Sequence, residues 1–328
     1  MRNRADTSKT STPMKALDNG NNILPINPEL ARIKSSSPSL ITLKDLCWLA
    51  YLFPGRALSR LSPDLIMALQ GPGAWMAKRF ARTQHYRLTE RLRIAGLREV
   101  EIKRIIDHYL HRAVGRALSD LVLDAVATDL CADRITIEGI EYLHAAQALS
   151  SGVLLVSGHF FASRLAKQVL RKRGMPVVSI RHPAPPDPAI GRIGRRWIQP
   201  RYMRFLHQVI GDEVFVQAPD SSIKILQRLR AGELVNIHID SPFASHSVRK
   251  SFLGRHQIFT TNFIRLARLA DSPILPFFFR GDHRRLHICF EPHLEPSGEP
   301  DAILGTILTR LQQEVMSYPS EYELWIML

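Results

Sequence analysis

The feature that most constrains this chain is a change of hydrophobic rhythm near Arg134. Before it, Val100, Ile102, Ile105, Ile106, Tyr109, Leu110 and their successors to Val122 recur at steps of three and four, one long apolar helical stripe. Lys103, Arg104, Asp107 and His108 fill the gaps, and the tract from Gln70 to Gly73 divides the region upstream into at least two helices. After Arg134, short β-like runs alternate with helices. Strands are predicted at 135–137, 153–156, 177–180, 214–216, 234–239, 274–279, 287–290 and 323–326. The helices between them have readable ends. One runs from near His159 to Gly174 with Pro176 beyond it, one from Asp220 or Ser221 to Gly232, and one from Thr260 or Thr261 to Ala270 before Pro273. This alternation predicts an α/β fold, a mostly parallel mixed sheet flanked by helices, behind a helical N-terminal portion.

Composition narrows the function classes. With 45% hydrophobic and 23% charged residues the chain is neither disordered throughout nor collagen-like. Its three cysteines, Cys47, Cys131 and Cys289, have no C-x-x-C spacing and build no disulfide scaffold. A net charge of +14 favours polyanionic partners: nucleic acid, anionic lipid or an acidic carrier protein. Residues 1–39, rich in Ser, Thr, Asn and Pro, read as a disordered leader without the apolar core of a cleavable secretory signal. Residues 40–130 read as a helical, membrane-facing portion and 131–328 as the α/β domain, with 40–328 forming one structural unit. Nothing reaches the roughly eighteen apolar residues a spanning helix needs. The nearest stretch, 40–53, is interrupted by Lys44 and Asp45, and its Trp48, Tyr51 and Phe53 suit either a bilayer interface or the protein's own core.

In parallel α/β sheets, ligands gather where strands end and helices begin. Val153-Leu-Leu-Val-Ser-Gly-His159 is such a junction: a buried strand ends, Ser157-Gly158 makes the turn, and His159 sits at the mouth of the next helix. A histidine held there can serve as a general base. Ser157 is a candidate substrate-binding hydroxyl beside it. Other catalytic patterns are missing from the sequence: there is no G-x-S-x-G elbow, G-x-G-x-x-G loop or Walker loop. His108 with His111 and His283 with His287 have metal-compatible spacings, but the first pair has no third ligand in view and the second straddles a predicted strand start, so both read as surface histidines and no metal site is expected.

The run 152–164, GVLLVSGHFFASR, with ITIEGIEYLHAAQALSSG ahead of it, resembles the strand and His-x4-acid motif of the bacterial lipid A biosynthesis acyltransferases. These are the lauroyl and myristoyl transferases of the lysophospholipid acyltransferase superfamily. The resemblance continues in order. Val177 to Pro183 is similar to the family's strand ending in an Arg-Pro element, and Ser222 to Asp240 to its helix, glycine and strand-to-Asp block. VRKSFLG at 248–254 is similar to V-x-F-F-G, Thr260 to Pro276 to the helix and strand that follow, and Tyr318 to Trp325 to the closing Pro-x-x-W segment. The match covers roughly residues 40–328.

The resemblance implies a glycerol-phosphate-acyltransferase-like fold. It also implies transfer of a fatty acyl group from an acyl carrier protein or coenzyme A thioester to a hydroxyl, or an amine, of a lipid-linked acceptor. His159 would be the base and Arg181 would hold an anionic group of donor or acceptor. No metal or organic cofactor would be needed, the acyl thioester being a co-substrate. Anionic membrane lipid is the implied surface, at the cytoplasmic face of the inner membrane. One position departs from the family: where it carries an acid, this chain has Arg164. Arginine accepts no hydrogen bond, so it cannot fix the tautomer of His159, and its charge is expected to lower the pKa of that ring. No carboxylate lies between His159 and Asp187, which leaves Asp240, at the end of another strand, as the substitute and Arg164 as a residue that binds substrate.

Between Arg164 and Arg204, counting both, lie eleven Lys or Arg residues and one acid, Asp187, a basic rim suited to an acidic carrier or anionic lipid. Two other readings stay open: a catalytically degenerate relative that binds acyl chains or carrier protein, motivated by Arg164, and a basic nucleic-acid-binding protein. The last lacks any helix-turn-helix, RNP or zinc signature, and no nucleic acid is expected.

Overall fold

A computed structural model of the chain describes Leu49 and residues 62–80, 82–149, 151–181, 191–216, 218–241 and 247–326. The leader and, Leu49 apart, the 40–53 stretch lie outside the described residues.

Four helices come first: α1 (Pro63–Ala68), α2 (Gln70–Phe80), α3 (Arg82–Ile94) and the 35-residue α4 (Glu99–Asp133). The break between α1 and α2 falls at Leu69 rather than within 70–73. Pro72 sits in the first turn of α2, where its missing N–H costs no helical hydrogen bond. Most of the apolar stripe read from the sequence is the buried side of α4, including Ile102, Ile106, Tyr109 and Leu110, but Val100, in the first turn, is exposed. Non-helical backbone at Val122 (φ −120°, ψ 16°) kinks that helix.

The rest is a seven-stranded sheet. Its strands are β1 (Ile135–Glu138), β2 (Val153–Ser157), β3 (Val177–Arg181), β4 (Glu213–Phe215), β5 (Leu234–His238), β8 (Ile274–Gly281) and β9 (Leu286–Phe290). A separate hairpin pairs β6 (Ser247–Phe252) with β7 (Arg255–Thr260). The sheet order is β1-β9-β8-β2-β5-β3-β4, and every neighbouring pair is parallel except β8 with β9. β2 is buried at every position, as the centre of a sheet covered on both faces must be. The covering helices include α5 (Ile140–Gln147), α6 (Ser163–Lys172), α7 (Gln199–Ile210), α8 (Ser221–Arg230), α9 (Asn262–Ala270) and α10 (Pro300–Ser317).

Two further expectations need correction. Residues 323–326 are not a strand but a short 3-10 helix, Glu323–Ile326. Their apolar spacing serves a different end: Tyr322, Leu324 and Trp325 drop into the core while the backbone meets the sheet end at a single bridge, Phe160 to Tyr322. The β6–β7 hairpin was not among the predicted strands, because its first strand is largely polar and half exposed. Its two-residue turn is Leu253-Gly254, with φ of 49° and 75°, the positive pair that tight hairpins require.

Candidate active site

β2 and β5 are adjacent and parallel, with Ser157 opposite His238, so the chain leaves both strands at the same edge. The turn after β2 presents His159, and Asp240 follows β5 by two residues. Gly158 allows them to meet: a Cβ there would lie 3.0 Å from Asp240 Oδ2 and 2.7 Å from Leu311. A third segment closes the junction. Phe161 N donates to Glu321 O (3.0 Å) and Glu323 N to His159 O (2.8 Å), which sets Tyr322 beside the turn.

The result is a carboxylate held by three donors. Asp240 Oδ1 lies 2.6 Å from His159 Nδ1, and Oδ2 accepts from His159 N at 2.8 Å and from the Tyr322 hydroxyl at 3.0 Å. Asp240 is buried, whereas the His159 side chain is 34% exposed. With Nδ1–H donated to Asp240, the lone pair rests on Nε2. Burial works against the charged ring, but Asp240, through its charge and hydrogen bond, outweighs burial and raises the His159 pKa above the ordinary histidine value. The direction is opposite to the lowering expected from Arg164, whose charge is taken up elsewhere.

Arg164, the second residue of α6, pairs with the buried Asp120 of α4, and the Tyr202 hydroxyl donates to the same carboxylate at 3.1 Å. Arg181 pairs with the buried Glu213, which His207 Nδ1 also approaches at 3.1 Å. Ser157 is buried, and its Oγ accepts from Asn236 Nδ2 at 3.4 Å. The structure thus brings His159 and Asp240 together and commits Arg164, Arg181 and Ser157 to partners of their own.

Behind His159 lies a second layer that the sequence reading did not single out. The His238 ring packs on it with centroids 4.4 Å apart. His238 Nδ1 donates to Gly158 O (2.8 Å), so its Nε2 is the acceptor, and Ser163 Oγ and Lys167 Nζ each lie 3.3 Å from it. Lys167 also donates to Ser179 Oγ at 3.1 Å. Burial, reinforced by the charge of Arg181, pushes this amine down to about 7. Burial, with the charges of His159 and Lys167, holds His238 well below the ordinary value. One signal for Lys167 exists in the sequence: it falls among Leu165, Ala166, Val169 and Leu170 on the buried part of α6. Tyr322 was hidden by the strand reading of its neighbours.

His159, His238 and Asp240 approach one another closely enough to surround a cation. The donor set does not suit one. Both oxygens of Asp240 already accept from His159 and Tyr322, His238 Nδ1 is spent on Gly158, and the Lys167 amine stands at His238 Nε2.

A family model described as bacterial lipid A biosynthesis acyltransferase matches residues 33–327. No curated protein matches the chain. With the family model spanning nearly its whole length, the chain belongs to the bacterial lipid A biosynthesis acyltransferase family and is an acyltransferase.

Proposed function

We propose that the protein moves a fatty acyl group from an acyl carrier protein or coenzyme A thioester to a hydroxyl, or an amine, of a lipid-linked acceptor, with His159 as general base. The observation that carries this reading is the 2.6 Å contact between His159 Nδ1 and Asp240 Oδ1, which leaves a basic nitrogen on a partly exposed ring. Nε2 takes the acceptor's proton as its oxygen attacks the thioester carbonyl, and Asp240 steadies the imidazolium that forms. Collapse of the tetrahedral species breaks the carbon–sulfur bond, and the departing thiolate takes the proton back from Nε2. A thioester is already activated, so a base and positioning suffice without a cofactor. Asp240 fills the role left vacant by the acid-to-Arg164 exchange, which removes the motive for a degenerate, non-catalytic relative.

Arg181 is the proposed contact for an anionic group of donor or acceptor, using guanidinium donors beyond the one given to Glu213. Among the described residues, no helix is long and apolar enough to cross a membrane. The proposed location is peripheral, at the cytoplasmic face of the inner membrane. Leu65, Leu69, Trp75, Met76 and Phe80, all exposed on or between α1 and α2, supply an apolar face for it. Arg195, Arg196 and Arg201, the last 5.5 Å over the ring of the exposed Trp197, supply cationic contacts to anionic lipid or carrier protein.

Purified full-length protein incubated with radiolabelled acyl carrier protein thioester, and separately with acyl coenzyme A, in the presence of membrane lipids is expected to give a labelled lipid. Product formation that survives intact in H159A would refute His159 as the base.

A further inference from the structure

A cavity of about 240 Å³ opens between α3 and the β6–β7 hairpin, its wall including Arg91, Phe252, Arg255, His256, Gln257 and Trp325. The hairpin is pressed against the end of α3. A Cβ on Gly254 would lie 2.2 Å from Ile94 O, and Leu253 N donates to Gln312 Oε1 at 3.3 Å. That packing holds the hairpin backbone against α3 and brings the exposed Arg255 and the half-buried Arg91 to one cavity wall.

There is no carboxylate among the cavity's lining residues. Among the described residues neither Arg91 nor Arg255 forms an ion pair, whereas Arg93, on the same helix as Arg91, pairs with Glu90 and Glu99. Burial, then the charges of Arg255 and Arg87, lower the Arg91 pKa, as expected for a cation set among cations. Paired guanidinium forks beside an apolar wall are the chemistry that recognises a phosphate ester.

We propose that Arg91 and Arg255, with His256 at the rim and Phe252 and Trp325 as the wall, form a binding site for a phosphate-bearing group. The site adjoins the His159 constellation through packed contacts. Trp325 meets Tyr322 edge to face with centroids 5.8 Å apart, Tyr322 donates to Asp240, and Asp240 holds His159. A substrate phosphate bound there is anchored apart from the reacting atoms, where it contributes positioning. The site does not require that His159 be the base.

Calorimetric titration of the full-length protein at fixed ionic strength tests it, with inorganic pyrophosphate as probe and coenzyme A and a short-chain phosphatidic acid below its micelle concentration as further arms. Saturable binding at one site is expected, weakened about tenfold or more in R91Q/R255Q, the loss of charge-assisted hydrogen bonds. R255E sets a carboxylate beside Arg91, so it is expected to bind none of the probes and to melt no lower than the wild type. H159A is expected to keep its pyrophosphate affinity, so the phosphate site and the acyl-transfer reading fail separately. Preference for coenzyme A assigns the site to the donor, and preference for the lipid phosphate assigns it to the acceptor. Equal titrations of wild type and R255E, or a lower melting temperature for R255E, would overturn the site.

Discussion

Two buried carboxylates lie on either side of the turn after β2, and they do opposite work. Asp240 faces an imidazole that is a third exposed and can gain or lose a proton. Asp120 faces the Arg164 guanidinium, whose side chain is mostly buried and whose charge is permanent. In the family's motif one acid, five residues after the histidine, would stand where Arg164 does. In this chain two jobs are separated. The carboxylate on the ring belongs to the end of β5, and the motif position carries the cation of an ion pair with α4. A motif residue can therefore change the sign of its charge without depriving the histidine of a carboxylate, provided a neighbouring strand ends in the right register.

With the two carboxylates so divided, substitutions on the two sides should fail in different ways. The largest effect on activity is expected for H159A: removing the proposed base should lower kcat/KM for acyl transfer by about 10²–10⁴. D240N keeps shape and loses charge. It should cost up to about 10⁴ in kcat/KM, the scale seen when a buried aspartate behind a catalytic histidine is amidated in serine proteases. The other carboxylate should behave as a stability element. R164M leaves Asp120 buried without its cation, expected to cost about 3–5 kcal/mol by urea denaturation. The double change D120L/R164M should recover most of that loss, with activity per folded molecule falling far less than in D240N.

The smallest effect concerns Lys167, an amine at the back of the same turn with His238, Ser179, Arg181, Arg164 and Glu213 around it. Its folded pKa of about 7 lies below the unfolded value of 10.5, so between those values the unfolded chain binds more protons than the folded one. Stability should then rise with pH across that window, the penalty being full below about 7 and absent above 10.5. Comparing urea midpoints at pH 7 and pH 9 should show a gain for the wild type and little or none for K167M.

How much of this could be read from the chain follows from what each residue reports locally. The alternation after Arg134 showed most of the sheet strands within a residue or two, because buried parallel strands are continuous apolar runs ended by Gly and Pro. His159 stood out because it follows such a run, and Asp240 because it ends another. Neither reveals that the two strands are neighbours, which is a property of the sheet order β8-β2-β5-β3. Tyr322 and Asp120 were invisible for the same reason. Tyr322 reaches Asp240 only because residues 321–323 dock on the turn after β2, and Asp120 faces Arg164 only because α4 packs on α6. The hairpin escaped because a polar, half-exposed ribbon carries little hydrophobic signal.

The most direct test of the central claim is an NMR titration of the His159 ring in the intact protein, compared among wild type, D240N and R164M. A wild-type pKa above the ordinary value of about 6.5 is expected, falling in D240N and nearly unmoved in R164M, since the carboxylate at Nδ1 is the group that raises it. A wild-type value at or below 6.5, or a value that D240N leaves where it was, would contradict the assignment of Asp240 as the partner of His159.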